Sequence, residues 1–146
     1  RLVLLVDVTT ASAAEVLAGA LGGNGRAVLV GSTTFGKGTA QHITPLPDGD
    51  ALRLTVSTLH LLNGVTYAGA GLVPAVCSSR TDLDPGTQLN ALRGGAAVWG
   101  ELCPPTLVGD DILPVARAIA GDAELYRRAL AAQRGPAPAV ADEAGH

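Results

Sequence analysis

The chain is almost without lysine: of its ten basic residues nine are arginine, and Lys37 stands alone. Arginine stays protonated in proteins, whereas a lysine desolvated among apolar groups can lose its proton and act as a base. A position that keeps lysine in so arginine-rich a sequence therefore points to a role arginine cannot fill. The plain alternative is compositional drift that left one lysine by chance. Aromatic residues are equally scarce, at 3%, so a core must be built from small aliphatic side chains, which the 47% hydrophobic share supplies. Positive charge is not in excess. The net charge is −3, which removes the electrostatic footprint of a nucleic-acid partner. No apolar run reaches the roughly 18–20 residues of a membrane-spanning helix. Cys77 and Cys103 are the only cysteines. With no Cys-x-x-Cys pair and no Cys/His cluster, they offer no zinc site. They are expected to be free and buried, with a disulfide as the alternative.

A length of 146 residues fits one domain. Leu2 to Val6 is a continuous apolar run ending at Asp7, the pattern of a fully buried strand. It is already under way at the first residues and lacks the flanks of a signal peptide, so the chain reads as a piece of a longer protein. From Ala11 to Leu21 the period becomes helical, with Val16, Leu17, Ala20 and Leu21 on one face. Gly22-Gly23-Asn24-Gly25 should end that helix. Ala27 to Val30 reads as a second buried strand. The glycine-rich segment Ser32 to Gly38 reads as a loop, and Thr39 to Thr44 as a strand that turns through Pro47-Asp48-Gly49-Asp50. Leu52, Leu54 and Val56 alternate with polar residues, which predicts a half-buried strand. Asn63-Gly64 marks another turn, and Val65 to Val76 reads as irregular with a short strand. Signals between Ser78 and Pro105 are weak. Helices are expected over Ile112–Ala120 and Ala123–Gln133, the second capped by Asp122. Residues 135–146 read as a frayed, disordered tail. The expected fold class is α/β, the first helix crossing between parallel strands.

Ser12 lies where the strand gives way to the helix. Unpaired backbone N–H groups and the helix dipole favour negative charge there, so the Ala13 N–H could stabilise an oxyanion. The competing explanation is structural. Ser12-Ala13-Ala14-Glu15 matches the capping box, and cap serines far outnumber catalytic ones. Lys37 and Gln41 share a face if their segment is extended, so Gln41 could orient the amine. A neutral lysine in a dry environment could then take the serine proton; the bland reading is a solvated lysine in a glycine-rich loop. Gly31 and Gly36-Lys37-Gly38 only faintly resemble a phosphate loop, because glycine replaces the Ser/Thr after the lysine and no helix follows. His42, His60 and His146, with Asp7, leave a Ser-His-Asp triad open, although each histidine has an ordinary structural explanation.

Taken together, Thr10-Ala11-Ser12-Ala13-Ala14-Glu15-Val16, Gly25 to Gly31, and Thr34-Phe35-Gly36-Lys37-Gly38-Thr39-Ala40-Gln41 resemble the C-terminal processing (tail-specific) protease family, peptidase family S41. That family has a Ser-Ala-Ser-Ala-Ser-Glu stretch and a later Phe-Gly-Lys-Gly-x-x-Gln stretch. The resemblance continues through Leu46-Pro47-Asp48-Gly49, Leu52-x-Leu54-Thr55-Val56 and Gly71-x-x-Pro74, and so covers Leu2 to Val76. It implies Ser12 as nucleophile, Lys37 as general base and Gln41 as the lysine's support. It also implies a ClpP/crotonase-like core with repeated β-β-α units and C-terminal helices. The corresponding organisation is a peptidase core over 1–76, a helical extension over 77–134, and the tail. The implied activity is endopeptidase cleavage of protein or peptide substrates near C-terminal tails, extracytoplasmic, with no metal or organic cofactor.

The departures are Thr9 for a glycine before the serine stretch, Thr10 and Ala14 for the outer serines, and Pro74-Ala75 for Pro-Asp. The family's upstream part, with its PDZ domain, early core strands and second oxyanion donor, has no counterpart in these residues. The site is therefore expected to need that N-terminal part, or a homo-oligomer, to be complete. Two rival functions remain. One is a non-catalytic peptide-binding or interaction module on the same fold. The other is a crotonase-like acyl-CoA enzyme, which leaves Ser12 and Lys37 unexplained.

Overall fold

The computed structural model describes residues 1–78, 84–94 and 103–133. Its elements run β1 (Val3–Val6), α1 (Ala13–Gly23), β2 (Val28–Gly31), β3 (Thr39–Pro45), β4 (Ala51–Thr58), β5 (Val76–Cys77) and α2 (Pro85–Arg93). A 3₁₀ turn (Asp110–Ile112), α3 (Leu113–Gly121) and α4 (Ala123–Gln133) follow. Three parallel strands form the main sheet in the order β1-β2-β5, with Val3 opposite Val28 and Val30 opposite Val76. The fold is α/β.

Val28-Leu29-Val30 is apolar without interruption because β2 is central and covered on both faces. Val28 and Val30 pack with Val76, Leu92, Ile119 and Leu125, joining β5, α2, α3 and α4 in one core. Leu29 points the other way, into a second cluster with Val6, Ala18, Tyr67 and Leu72. Tyr126 on α4 fastens the layers. Its hydroxyl meets the backbone of Leu2 at 3.2 Å and donates to the Arg26 carbonyl at 3.1 Å. Asp122 caps α4, as expected, by accepting the N–H groups of Glu124 and Leu125.

Four expectations need correction. First, β1 is not fully buried. It is an edge strand of this sheet, and Leu5 is 44% exposed. Second, α1 continues through Gly22 and Gly23 to its cap at Asn24. It buries Glu15, Ala18, Gly19 and Gly22 rather than the Val16, Leu17 face. The reason is close approach: a Cβ on Gly19 would meet Leu61 Cδ2 at 2.9 Å, so the helix seats on its smallest residues. Third, β4 is exposed on both faces. Among the described residues it pairs only with β3, in a two-stranded antiparallel hairpin with no layer beneath it. Fourth, Cys77 and Cys103 are not free; they form a disulfide, Cα to Cα 5.7 Å. Helix α2 falls where the sequence signals looked weak, capped by Asp84 with proline at its start. The expected tail, 135–146, and His146 with it, lie outside the described residues.

Candidate active site

Two chain segments leave the carboxyl ends of β1 and β2, where open α/β sheets place their ligand sites. The first carries Ser12. Asp7 shapes it: one oxygen, Oδ1, accepts the Thr9 hydroxyl at 2.6 Å and the N–H groups of Thr9 and Thr10 at 2.8 and 3.2 Å. These bonds, the Thr9 hydroxyl first, hold the Asp7 carboxyl below its ordinary range. The chain then reaches Ser12 at the N-cap of α1 with φ 53° and ψ −119°. Ser12 is the one non-glycine with positive φ among the described residues. An ordinary cap serine is extended and lends its oxygen to the helix. Here the hydrogen bond is the reverse half, Ser12 N–H to Glu15 Oε2 at 3.0 Å; the forward half, Glu15 N–H toward the Ser12 side chain, has the capping-box arrangement but falls short of a hydrogen bond. Ser12 is exposed, and so is Ala13, at the first helical position.

The second segment carries Lys37. It is tied to the first by Phe35 N–H donating to the Thr10 carbonyl at 3.0 Å. Its central anchor is the Glu15 side chain, which is fully buried. Oε1 accepts the Thr34 hydroxyl and the Gly36 N–H, each at 2.6 Å, and Oε2 accepts the Lys37 N–H at 2.8 Å. Every partner of Glu15 is a donor, which suits an acceptor-only ionised carboxylate. The helix N-terminus adds favourable potential. Gly36, at φ 85°, is required here because a Cβ would sit 2.8 Å from the Gly71 nitrogen. The 67–72 segment braces the loop through Gly69 N–H to the Gly36 carbonyl and Leu72 N–H to Thr34 Oγ1.

Ser12 is thus held at positive φ on a strand-to-helix turn, with the Lys37 loop bonded to the same helix. The model of peptidase family S41 matches residues 1–77. The chain belongs to peptidase family S41.

Among its relatives, the carboxyl-terminal-processing protease of Picosynechococcus sp. is 42% identical over 108 residues, covering 66% of this chain and 26% of that protein. Carboxyl-terminal-processing peptidase 3 of Arabidopsis thaliana, named as chloroplastic, is 62% identical over 72 residues, 46% of this chain and 14% of that protein. A solved photosystem II D1 C-terminal processing protease superposes with TM-score 0.51 at 42% identity, over 58% of this chain and 21% of that one. This S41 chain thus spans 14–26% of the length of these three proteins.

Within the S41 chain the expected residues are only partly assembled. The Ser12 and Lys37 backbones share one carboxylate oxygen. The Lys37 side chain is exposed, not in the dry pocket a base needs, because no described element lies over its loop. Gln41, on β3, directs its amide across the hairpin to Thr55 Oγ1 at 3.5 Å and forms no hydrogen bond with Lys37. His42 is exposed on β3. His60 Nδ1 meets the Gly64 carbonyl at 2.9 Å. Neither histidine is hydrogen-bonded to Ser12 or Asp7 among the described residues. A cleft of about 220 Å³ opens between Leu5, Asp7 and Thr10 on one side and Val108, Ile112 and Leu113 on the other, but neither Ser12 nor Lys37 lines it. Among the described residues no group of His, Cys, Asp and Glu could hold a metal, and no helix is long and apolar enough to cross a membrane.

Glu15 is the residue sequence reasoning undervalued. It was visible only as a capping-box partner, because its other partners lie 19 to 22 residues away. Tyr67 was missed as well. Its hydroxyl is buried without a hydrogen-bond partner among the described residues, and burial, with the nearby Glu15 charge, raises its pKa.

Proposed function

We propose that this chain carries the catalytic dyad of a serine endopeptidase that cleaves proteins near their C-terminal tails. Ser12 Oγ attacks the scissile carbonyl. Lys37 Nζ takes the serine proton and delivers it to the leaving amine; water then resolves the acyl-enzyme by the reverse transfer. The Ala13 N–H, exposed at the first helical position, is one oxyanion donor. Gln41 turns from its long contact with Thr55 to orient the lysine in the assembled site. Residues 1–76 are the peptidase core, of ClpP/crotonase-like kind, and 77–134 its helical extension, sharing the core around β2. The rest of the catalytic domain, or a second copy, covers Lys37 and supplies the dry environment. The disulfide favours an oxidising, extracytoplasmic compartment.

The observation that supports this reading is the Glu15 bridge, which brings the Ser12 and Lys37 backbones to one oxygen. The exposed Lys37 favours the alternative, a non-catalytic peptide-binding module. Cleavage of a C-terminally labelled peptide by the full-length protein separates the two. Ser12→Ala should abolish cleavage while His42→Ala and His60→Ala retain it. Binding without cleavage in the unmutated protein would favour the module, and loss of activity in a folded histidine variant would revive the triad.

A further inference from the structure

The residues that follow Cys103 form a strap without regular secondary structure, and it touches both arms of the site. The Thr106 carbonyl accepts the Val8 N–H, on the Ser12 arm, at 3.3 Å. The same carbonyl accepts the Ser32 hydroxyl, on the Lys37 arm, at 2.6 Å, and Ser32 Oγ in turn accepts the Thr106 N–H at 3.3 Å. The neighbouring Thr33 hydroxyl donates to the Cys103 carbonyl. Ser32 and Thr33 are both buried, whereas the strap from Pro104 to Leu107 is exposed. A segment with little apolar burial and a few hydrogen bonds sits at the low end of local stability. Its first residue is also fixed covalently: Cys103 is bonded to Cys77, at the end of β5.

We propose that the Cys77–Cys103 disulfide is a redox lock on the catalytic site. Closed, it seats the 103–106 strap against Val8 and Ser32, so that both arms keep their relative placement. Opened, it frees the strap and removes its tie between the arms at Thr106, leaving the Glu15 and Phe35–Thr10 bonds to hold them alone. The opening reagent is a dithiol. Its first thiolate attacks one cysteine sulfur, giving a mixed disulfide and releasing the other cysteine as a thiolate. The reagent's second thiolate then displaces the first cysteine. Two electrons pass to the protein, Cys77 and Cys103 end as thiols, and the reductant leaves as its own disulfide. Because both sulfurs are buried, exchange waits for the strap to lift. The device therefore reports the compartment in which the protein matures rather than rapid fluctuations.

The proposal rests on Ser12 being the nucleophile, and its test is chosen to keep the two apart. Full-length protein is labelled at Ser12 with a fluorophosphonate, oxidised and after dithiothreitol treatment that exposes two titratable thiols. Both are assayed well below the melting midpoint of the reduced form. The expected result is labelling at least tenfold slower after reduction, restored by reoxidation. The variant Ser32→Ala, with its disulfide intact, should label more slowly for the same reason. Equal labelling of oxidised and folded reduced protein overturns the lock. If the reduced protein does not stay folded, wild-type labelling by oxidised Ser32→Ala overturns it instead. Failure of the oxidised wild type to label at all removes the serine reading, and the lock with it.

Discussion

A single carboxylate oxygen, Glu15 Oε2, accepts the backbone N–H groups of both Ser12, at 3.0 Å, and Lys37, at 2.8 Å. The two nitrogens can be no farther apart than the sum of those distances, although 25 residues of chain separate them. One buried side chain thus sets the spacing of the two candidate catalytic positions. Glu15→Gln replaces an acceptor with an amide donor facing two N–H or O–H donors. It should destabilise the fold by roughly 2–5 kcal/mol and slow cleavage by well over tenfold at temperatures where the variant remains folded. Denaturant titration alongside peptide cleavage checks both. A stable variant with full activity would mean that Glu15 does not set the spacing.

Strain at Ser12 makes a second prediction. With φ 53° and ψ −119°, serine sits where glycine is at ease and alanine is not. Both Ser12→Gly and Ser12→Ala should be inactive, but the glycine variant should be the more stable by about 1 kcal/mol. Urea unfolding midpoints compare them directly. Equal midpoints would mean that the turn stores no strain.

Tyr67→Phe should raise stability by about 1 kcal/mol, since it removes a buried hydroxyl that has no partner among the described residues. A thermal melt is sufficient. A clear fall in melting temperature would show that the hydroxyl is satisfied in solution, by a water beside Glu15 for instance.

These three residues also show where sequence reasoning stops. Strand β2 was legible because Val28, Leu29 and Val30 are buried on both faces, and α4 because Asp122 announces it. Helix α2 had its own signals, Asp84 as cap, Pro85 at the first position and Gly94 at the end, but little apolar periodicity in Pro-Gly-Thr-Gln to confirm them. The face of α1 was misjudged because Leu61 and Leu72 close on Gly19, and Gln133 and Leu29 on Gly22, and hydrophobicity does not report closeness. Alternation in β4 was real, yet its face meets no layer among the described residues. The disulfide joins cysteines 26 residues apart with no spacing motif to betray it. Ser12 and Lys37 were legible as motif residues; the carboxylate that joins them was not, because it acts through backbone N–H groups that any residue has.

Acid should loosen the molecule in a defined window. The carboxyls of Asp7, Asp84 and Asp122 are held below their ordinary value, Asp7 and Asp84 chiefly by threonine hydroxyls and Asp122 by the N–H groups of Leu125 and Glu124. A depressed folded pKa gives stability that is fully present above the unfolded pKa and lost as pH falls through the folded one. The decline should therefore begin below about pH 4, and Asp7→Asn should flatten it. Unfolding midpoints between pH 6 and pH 2 test this. An unchanged slope in Asp7→Asn would remove Asp7 from the account.

The central claim is that Lys37 accepts the Ser12 proton, and the most direct measurement is peptide cleavage by full-length wild type, Lys37→Arg and Lys37→Ala, each shown to be folded. Arginine keeps the positive charge but does not give up its proton in proteins. If Lys37 is the base, the arginine variant should fall nearly as far as the alanine variant, roughly a hundred- to ten-thousand-fold in kcat/KM. A Lys37→Arg enzyme that keeps most of the wild-type rate would contradict the dyad.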